Sequence, residues 1–115
     1  MSNESTPPFK EVYALIWKAN EPDGVFNPQE FQDRIPRLME WLKSIYKKGK
    51  LVACGGGGFE NHSGGLTLIS ADSIEDAVEI SNGSPMNEIG KTEIMIWDVF
   101  YGELNETKQV QKLES

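Results

Sequence analysis

Apolar residues occupy nearly every position of Glu93-Ile94-Met95-Ile96-Trp97-Asp98-Val99-Phe100. In an extended chain Ile94 and Ile96 point one way and Met95, Trp97 and Val99 the other, so both faces need cover. Val12-Tyr13-Ala14-Leu15-Ile16-Trp17 has the same character, within a strand expected over Glu11 to Ala19. Pro7-Pro8 precedes it and the Pro22-Asp23-Gly24 turn follows, where Pro fixes φ and Gly accepts a positive one. Two shorter strands are expected at Leu51-Val52-Ala53-Cys54 and at Leu66-Thr67-Leu68-Ile69-Ser70-Ala71. The glycine-rich stretch from Gly55 to Gly65 then reads as the long loop of a hairpin.

Helical spacing appears twice. Phe31, Ile35, Leu38, Leu42 and Ile45 form one stripe, widened by Met39 and Tyr46. Asn27-Pro28 suits a helix start, with Glu30 placed as in a capping box. Lys47-Lys48-Gly49 suits its end. Pro36 inside this stripe costs about 3 kcal/mol, and a kink or break is expected there. Ser73 caps a second, shorter helix with Asp76 in its first turn and Ile74, Ala77, Val78 and Ser81 inward; Asn82-Gly83 and Pro85 end it. A loop from Met86 to Lys91 leads to the last strand.

The resulting order, β-α-β-β-α-β, predicts a ferredoxin-like α+β fold: an antiparallel four-stranded sheet with both helices on one face. The other sheet face is also apolar, more than soluble monomers usually leave uncovered. A homodimer packed sheet to sheet is the expected remedy, giving a dimeric α/β barrel. Residues 1–8 read as a disordered tail, 9–101 as the domain, and 102–115 as a polar tail with at most a short helix around Val110 and Leu113.

Composition adds limits. A chain of 115 residues suits one domain with a modest core, and 25% charged residues fit a folded protein. A net charge of −7 disfavours nucleic acid and anionic membranes as partners. The N-terminal stretch lacks the basic start and apolar run of a secretion signal, and no run is long enough to span a bilayer, so a cytoplasmic protein is expected. Asn-x-Ser/Thr triplets at Asn3, Asn61, Asn82 and Asn105 then read as chance. Cys54 is the single cysteine, so no intrachain disulfide forms.

Several signatures together resemble the YCII-related family of small dimeric α/β-barrel proteins. They are Pro36 in the first helix, Gly49-Lys50-Leu51-Val52-Ala53-Cys54-Gly55-Gly56, Gly64-Gly65-Leu66, Ala71-Asp72-Ser73-Ile74-Glu75-Asp76-Ala77, and Ser84-Pro85. The resemblance covers roughly residues 11 to 101 and implies a ferredoxin-like dimer. It also implies an active site pairing a His shortly after the helix proline with an Asp just before the later proline. In this chain those positions hold Leu38 and Ser84, and neither is a general acid or base at neutral pH.

The remaining candidates for chemistry are sparse. Gly55 to Gly58 lacks the following helix that a phosphate cradle needs and reads as part of the hairpin, the alternative being a glycine-lined cleft wall that a ligand can approach. His62, the single histidine, lies in the expected loop near Glu60, either solvated or reaching over a cleft as a base; alone it makes no metal site. Cys54 ends an apolar strand and reads as a buried, inert thiol rather than a nucleophile. Trp17 and Trp97 lie near strand ends where core packing competes with a cleft. Glu93 and Asp98, five residues apart, fall on opposite faces of a regular strand and read as solvated ends. Arg34 and Arg37 offer either solvated charge or an anion contact.

The expectation is therefore a protein that binds a small organic ligand, anionic ones included, in a cleft of the homodimer. Trp17, Arg34, Leu38, Cys54, Ser84 and Trp97 are the expected binding residues, with no metal and no cofactor. The alternatives are a lyase, isomerase or hydrolase acting on a small organic acid and using Ser84 with His62 or an arginine, and a structural interaction module.

Overall fold

A computed structural model describes residues 11–104. The expected tail over residues 1–8 and the short helix around Val110 and Leu113 lie outside the described residues. The order is β1 (Glu11–Ala19), α1 (Pro28–Lys47), β2 (Leu51–Gly58), β3 (Ser63–Ala71), α2 (Ile74–Asn82), a 3-10 turn (Pro85–Glu88) and β4 (Gly90–Trp97). The strands form one antiparallel sheet in the order β2-β3-β1-β4, the ferredoxin-like α+β arrangement.

Register decides which side chains meet. Tyr13, Leu15 and Trp17 of β1 share a face with Ile69, Thr67 and Gly65 of β3 and with Ile96, Ile94 and Thr92 of β4. Both helices pack on this face. Tyr13, Leu15 and Ile69 are buried with Ile45 of α1 and Ala77 of α2, and Trp41 and Ile80 close around them. Val12, Ala14, Ile16, Leu66, Leu68, Met95 and Trp97 fall on the other face, which no described helix covers.

Both helix starts follow their sequence signals. Asn27 accepts a hydrogen bond from the Gln29 amide at 3.0 Å, and Ser73 Oγ accepts one from the Asp76 amide at 3.1 Å. Glu30 turns to Arg34 at 2.8 Å. Contrary to a break at Pro36, α1 is one uninterrupted helix of 20 residues, with Pro36 on its exposed side. Its second half docks on the core through Leu42 and Ile45, while Phe31 and Leu38 of its first half join Trp17, Ala19 and Met86 in a second cluster.

Four expectations need correction. Gly55 to Gly65 is mostly strand: Gly55, Gly56 and Gly57 pair with Leu66, Gly65 and Gly64, leaving Phe59–His62 as the turn. Ladder hydrogen bonds override the low strand propensity of glycine, although each costs ~0.5–1 kcal/mol relative to alanine. A register shift between Leu51 and Ala53 marks a bulge where β2 begins. The last strand starts at Gly90 and ends at Trp97, so Val99 and Phe100 lie beyond it. In α2, Ala77 and Ser81 are buried but Ile74 and Val78 are exposed, and Ile80 takes the inward position instead. Met86 to Glu88 belongs to the 3-10 turn rather than to an open loop.

Candidate functional site

A cavity of about 560 Å³ lies between α1 and the sheet. The sheet side is built by Leu15, Trp17, Thr67, Gly65, Gly56 and Cys54. The helix side is built by Phe31, Leu38, Met39, Trp41, Leu42 and Tyr46. Ser81 from α2, together with Ser84 and Met86 around the 3-10 turn, borders it as well. The space follows from the uneven docking of α1. Glycine at positions 56 and 65 leaves the floor without side chains under that helix, so nothing from the sheet fills the gap.

Two charge-neutral hydrogen bonds fix the aromatic walls. Trp17 Nε1–H donates to the Met86 carbonyl at 2.8 Å in a buried setting, and Trp41 Nε1–H donates to the Ile80 carbonyl at 2.9 Å. The Trp17 and Phe31 rings face each other at 6.4 Å, tilted by 37°. Trp17 also sits against Gly90, where a Cβ would run into the indole. Among the described residues, no Asp, Glu, Lys, Arg or His lines this cavity.

Leu38, Ser84, Trp17 and Cys54 come together in the wall as the sequence suggested. Ser84 Oγ accepts a hydrogen bond from the Met86 amide at 3.2 Å, capping the 3-10 turn. Among the described residues the other polar groups of the cavity wall are neutral, so none of them is a base that could activate it. Cys54 is exposed at the cavity rim rather than buried, and desolvation raises its thiol pKa above the ordinary value. A thiol shifted that way is mostly protonated at neutral pH and is a poor nucleophile.

Three expected site residues lie elsewhere. Arg34 points to carboxylates, bonding Glu30 at 2.8 Å and Glu88 at 3.0 Å. Arg37 binds the same Glu88 at 2.8 Å, and together the two guanidinium groups, Arg37 foremost, hold its carboxyl down at about 2. This cluster ties the 3-10 turn to α1 and leaves the two arginines committed to carboxylates rather than to an anionic ligand. Trp97 sits on the helix-free face opposite Val12. His62 is in the β2–β3 turn, its Nδ1 2.8 Å from Asn61 Oδ1, away from the cavity wall. Glu93 and Asp98 are exposed, as solvated strand ends should be.

A family model for the YCII-related domain matches residues 12–99, nearly the whole described fold. The chain belongs to the YCII-related family. No curated protein and no solved structure matches it. Within this YCII-related domain, the two positions that stand for the family's His and Asp both border the cavity, but as Leu38 and Ser84. Sequence reasoning reached Gly56 only through the alternative of a glycine-lined cleft wall; it missed Gly65, placed in a loop, and Thr67, and it left Trp41 unassigned. Ser81 was legible as an inward residue of α2, and the cavity it borders was not. Among the described residues no cluster of three or more His, Cys, Asp or Glu is arranged to hold a metal ion, and no helix is long and apolar enough to cross a membrane.

Proposed function

We propose that this YCII-related protein binds a small, uncharged, largely apolar organic molecule between α1 and the sheet. The observation that carries this reading is a cavity of about 560 Å³ whose wall lacks any charged side chain among the described residues. That size falls within the range of small-molecule sites, which are mostly apolar with a few polar groups. An ionised ligand would lose its hydration there without gaining a counter-charge. Acid–base chemistry of the lyase, isomerase or hydrolase kind has no support from Leu38 and Ser84, so binding is favoured over turnover.

A thermal-shift panel of uncharged ring compounds and matched carboxylates tests the reading, because a ligand that binds the native state raises its melting point. Uncharged compounds should raise Tm, and Met39→Trp, which adds bulk at the wall, should remove the effect. A carboxylate that stabilises the native protein but not Arg34→Ala would overturn the uncharged reading in favour of an anion site.

The helix-free sheet face supports a second element of the proposal, a homodimer in which that face meets its copy. Leu66 and Met95 on this face are 44% and 49% exposed, and the segment after β4 leaves Phe100 98% exposed. Four strands at ~4.8 Å spacing and about eight residues long give roughly 450–500 Å² of projected face. This is more than half of the ~800 Å² per partner of a stable interface. The occupant is a second copy because the face is self-complementary in kind, apolar at its centre and nearly free of charge apart from Lys18, Lys91 and Glu93 toward one end.

A further inference from the structure

One buried polar group at the cavity has no side-chain partner among the described residues. Ser81 is 5% exposed and borders the cavity, yet its Oγ makes no hydrogen bond among the described residues. The hydrogen bonds that reach Ser81 from the Ser84 amide and from Asn87 Nδ2 both end on its backbone carbonyl. Nor does the hydroxyl turn back to a carbonyl of the preceding helical turn, the usual local outlet for a helical serine. Buried hydroxyls are nearly always paired, because an unpaired one keeps its full desolvation penalty.

The floor carries a second unexplained feature. Trp17, Gly65 and Gly56 stand side by side across three strands on the cavity face. A Cβ built at Gly56 meets nothing within 4 Å, and one at Gly65 meets only the Gly55 carbonyl at an ordinary 3.5 Å. Neither residue has a positive φ. Gly64 is different, since a Cβ there would come within 2.9 Å of the Trp17 carbonyl. Packing and backbone therefore explain Gly64 and Gly90 but leave Gly56 and Gly65 unaccounted for. With strands about 4.8 Å apart and alternate residues ~6.6 Å apart, the two bare positions make a flat strip of about one ring's size beside the indole.

We infer that the cavity takes a flat, uncharged ring compound carrying one hydroxyl or carbonyl group, the ring lying on the Gly56–Gly65 backbone beside Trp17 and the polar group bonded to Ser81 Oγ. The inference rests on the proposed reading of the cavity as a ligand site. A hydroxyl both donates and accepts, so Ser81 suits either polar group. The absence of charge from the wall selects the neutral form of the ligand. The glycine strip selects thickness: a saturated ring of the same skeleton is puckered and cannot lie flat on it.

The test is calorimetric titration with 2-naphthol, a flat uncharged probe, and with decahydro-2-naphthol, its saturated counterpart. The native protein should bind 2-naphthol at least roughly tenfold more tightly, and Ser81→Ala should weaken that binding roughly tenfold while its own Tm holds or rises. Gly56→Val should weaken it by as much. Gly57→Val, on the same strand but outside the cavity wall, should leave binding unchanged. Equal affinity for the two probes, together with a neutral Gly56→Val, overturns the flat floor while the cavity reading stands. Unchanged 2-naphthol affinity in Ser81→Ala, with a lower Tm, overturns the role of the hydroxyl. Failure of both probes to bind the native protein overturns the inference and counts against the cavity reading itself.

Discussion

Trp17→Phe isolates the hydrogen bond on which one end of the cavity depends. Trp17 is buried, and its indole N–H donates to the Met86 carbonyl at 2.8 Å, joining β1 to the 3-10 turn. Phenylalanine keeps most of the ring but removes the donor. The Met86 carbonyl keeps the Ile89 amide at 3.1 Å, so the cost is that of one lost hydrogen bond, ~0.5–1.5 kcal/mol. The missing part of the indole leaves a void of roughly 40 Å³, worth about 1 kcal/mol at ~24 cal/mol per Å³. The sum is ~1.5–2.5 kcal/mol, a sizeable share of the 5–15 kcal/mol typical of a domain. Urea unfolding followed by far-ultraviolet circular dichroism should give that loss with an unchanged m-value, and Tm should fall by roughly 6–20 °C. Trp41→Phe is the internal comparison. Its bond to the Ile80 carbonyl at 2.9 Å is only part-buried, so its loss should be smaller. A Trp17→Phe protein within 1 kcal/mol of native, or less affected than Trp41→Phe, would refute the view that the indole bond holds the 3-10 turn to β1.

The other expectations follow from charge, sterics and assembly. Because the Glu88 carboxyl sits at about 2 instead of its ordinary 4.5, its stabilising contribution is complete above about 4.5 and disappears as pH falls through about 2. Glu88→Gln should thus be less stable than native at pH 7, and the difference should close across that window in a series of denaturation curves. Gly64→Ala should destabilise, since its Cβ would press on the Phe59 ring at 2.8 Å and the Trp17 carbonyl at 2.9 Å, whereas Gly57→Ala should be neutral or stabilise by up to ~1 kcal/mol. In sedimentation velocity the native protein should run as a dimer, and Ile16→Glu, on the helix-free face, should run as a monomer.

The parts of the fold that could be read in the sequence are those where local chemistry and tertiary packing agree. The β1 run, the Asn27 and Ser73 caps and the α1 stripe point to the same elements that form. The glycine run was misread because its local preference opposes its final state, and only pairing with β3 makes it strand. In α2 the inward positions are Ala77 and Ser81, and small residues there give a hydrophobicity pattern little sense of direction, so Ile74 and Val78 were turned the wrong way. Site legibility follows a similar division. Leu38 and Ser84 were reachable through motif spacing, and Trp17 and Cys54 through their positions at strand ends. Arg34 was not, because its partner Glu88 is 54 residues away and no periodicity links the two.

Among the described residues, the strand carrying Gly55 to Gly58 forms one border of the sheet, with no neighbouring strand on its outer side. Natural borders of this kind are usually blunted by lysine, proline or bulky side chains, and apart from the bulge near Leu51 this one is bare. The same nakedness that keeps the cavity floor open therefore makes this rim a template for another extended chain. Concentrated preparations should be prone to edge-on ribbon formation, a hazard that arises separately from the sheet-to-sheet pairing of two copies.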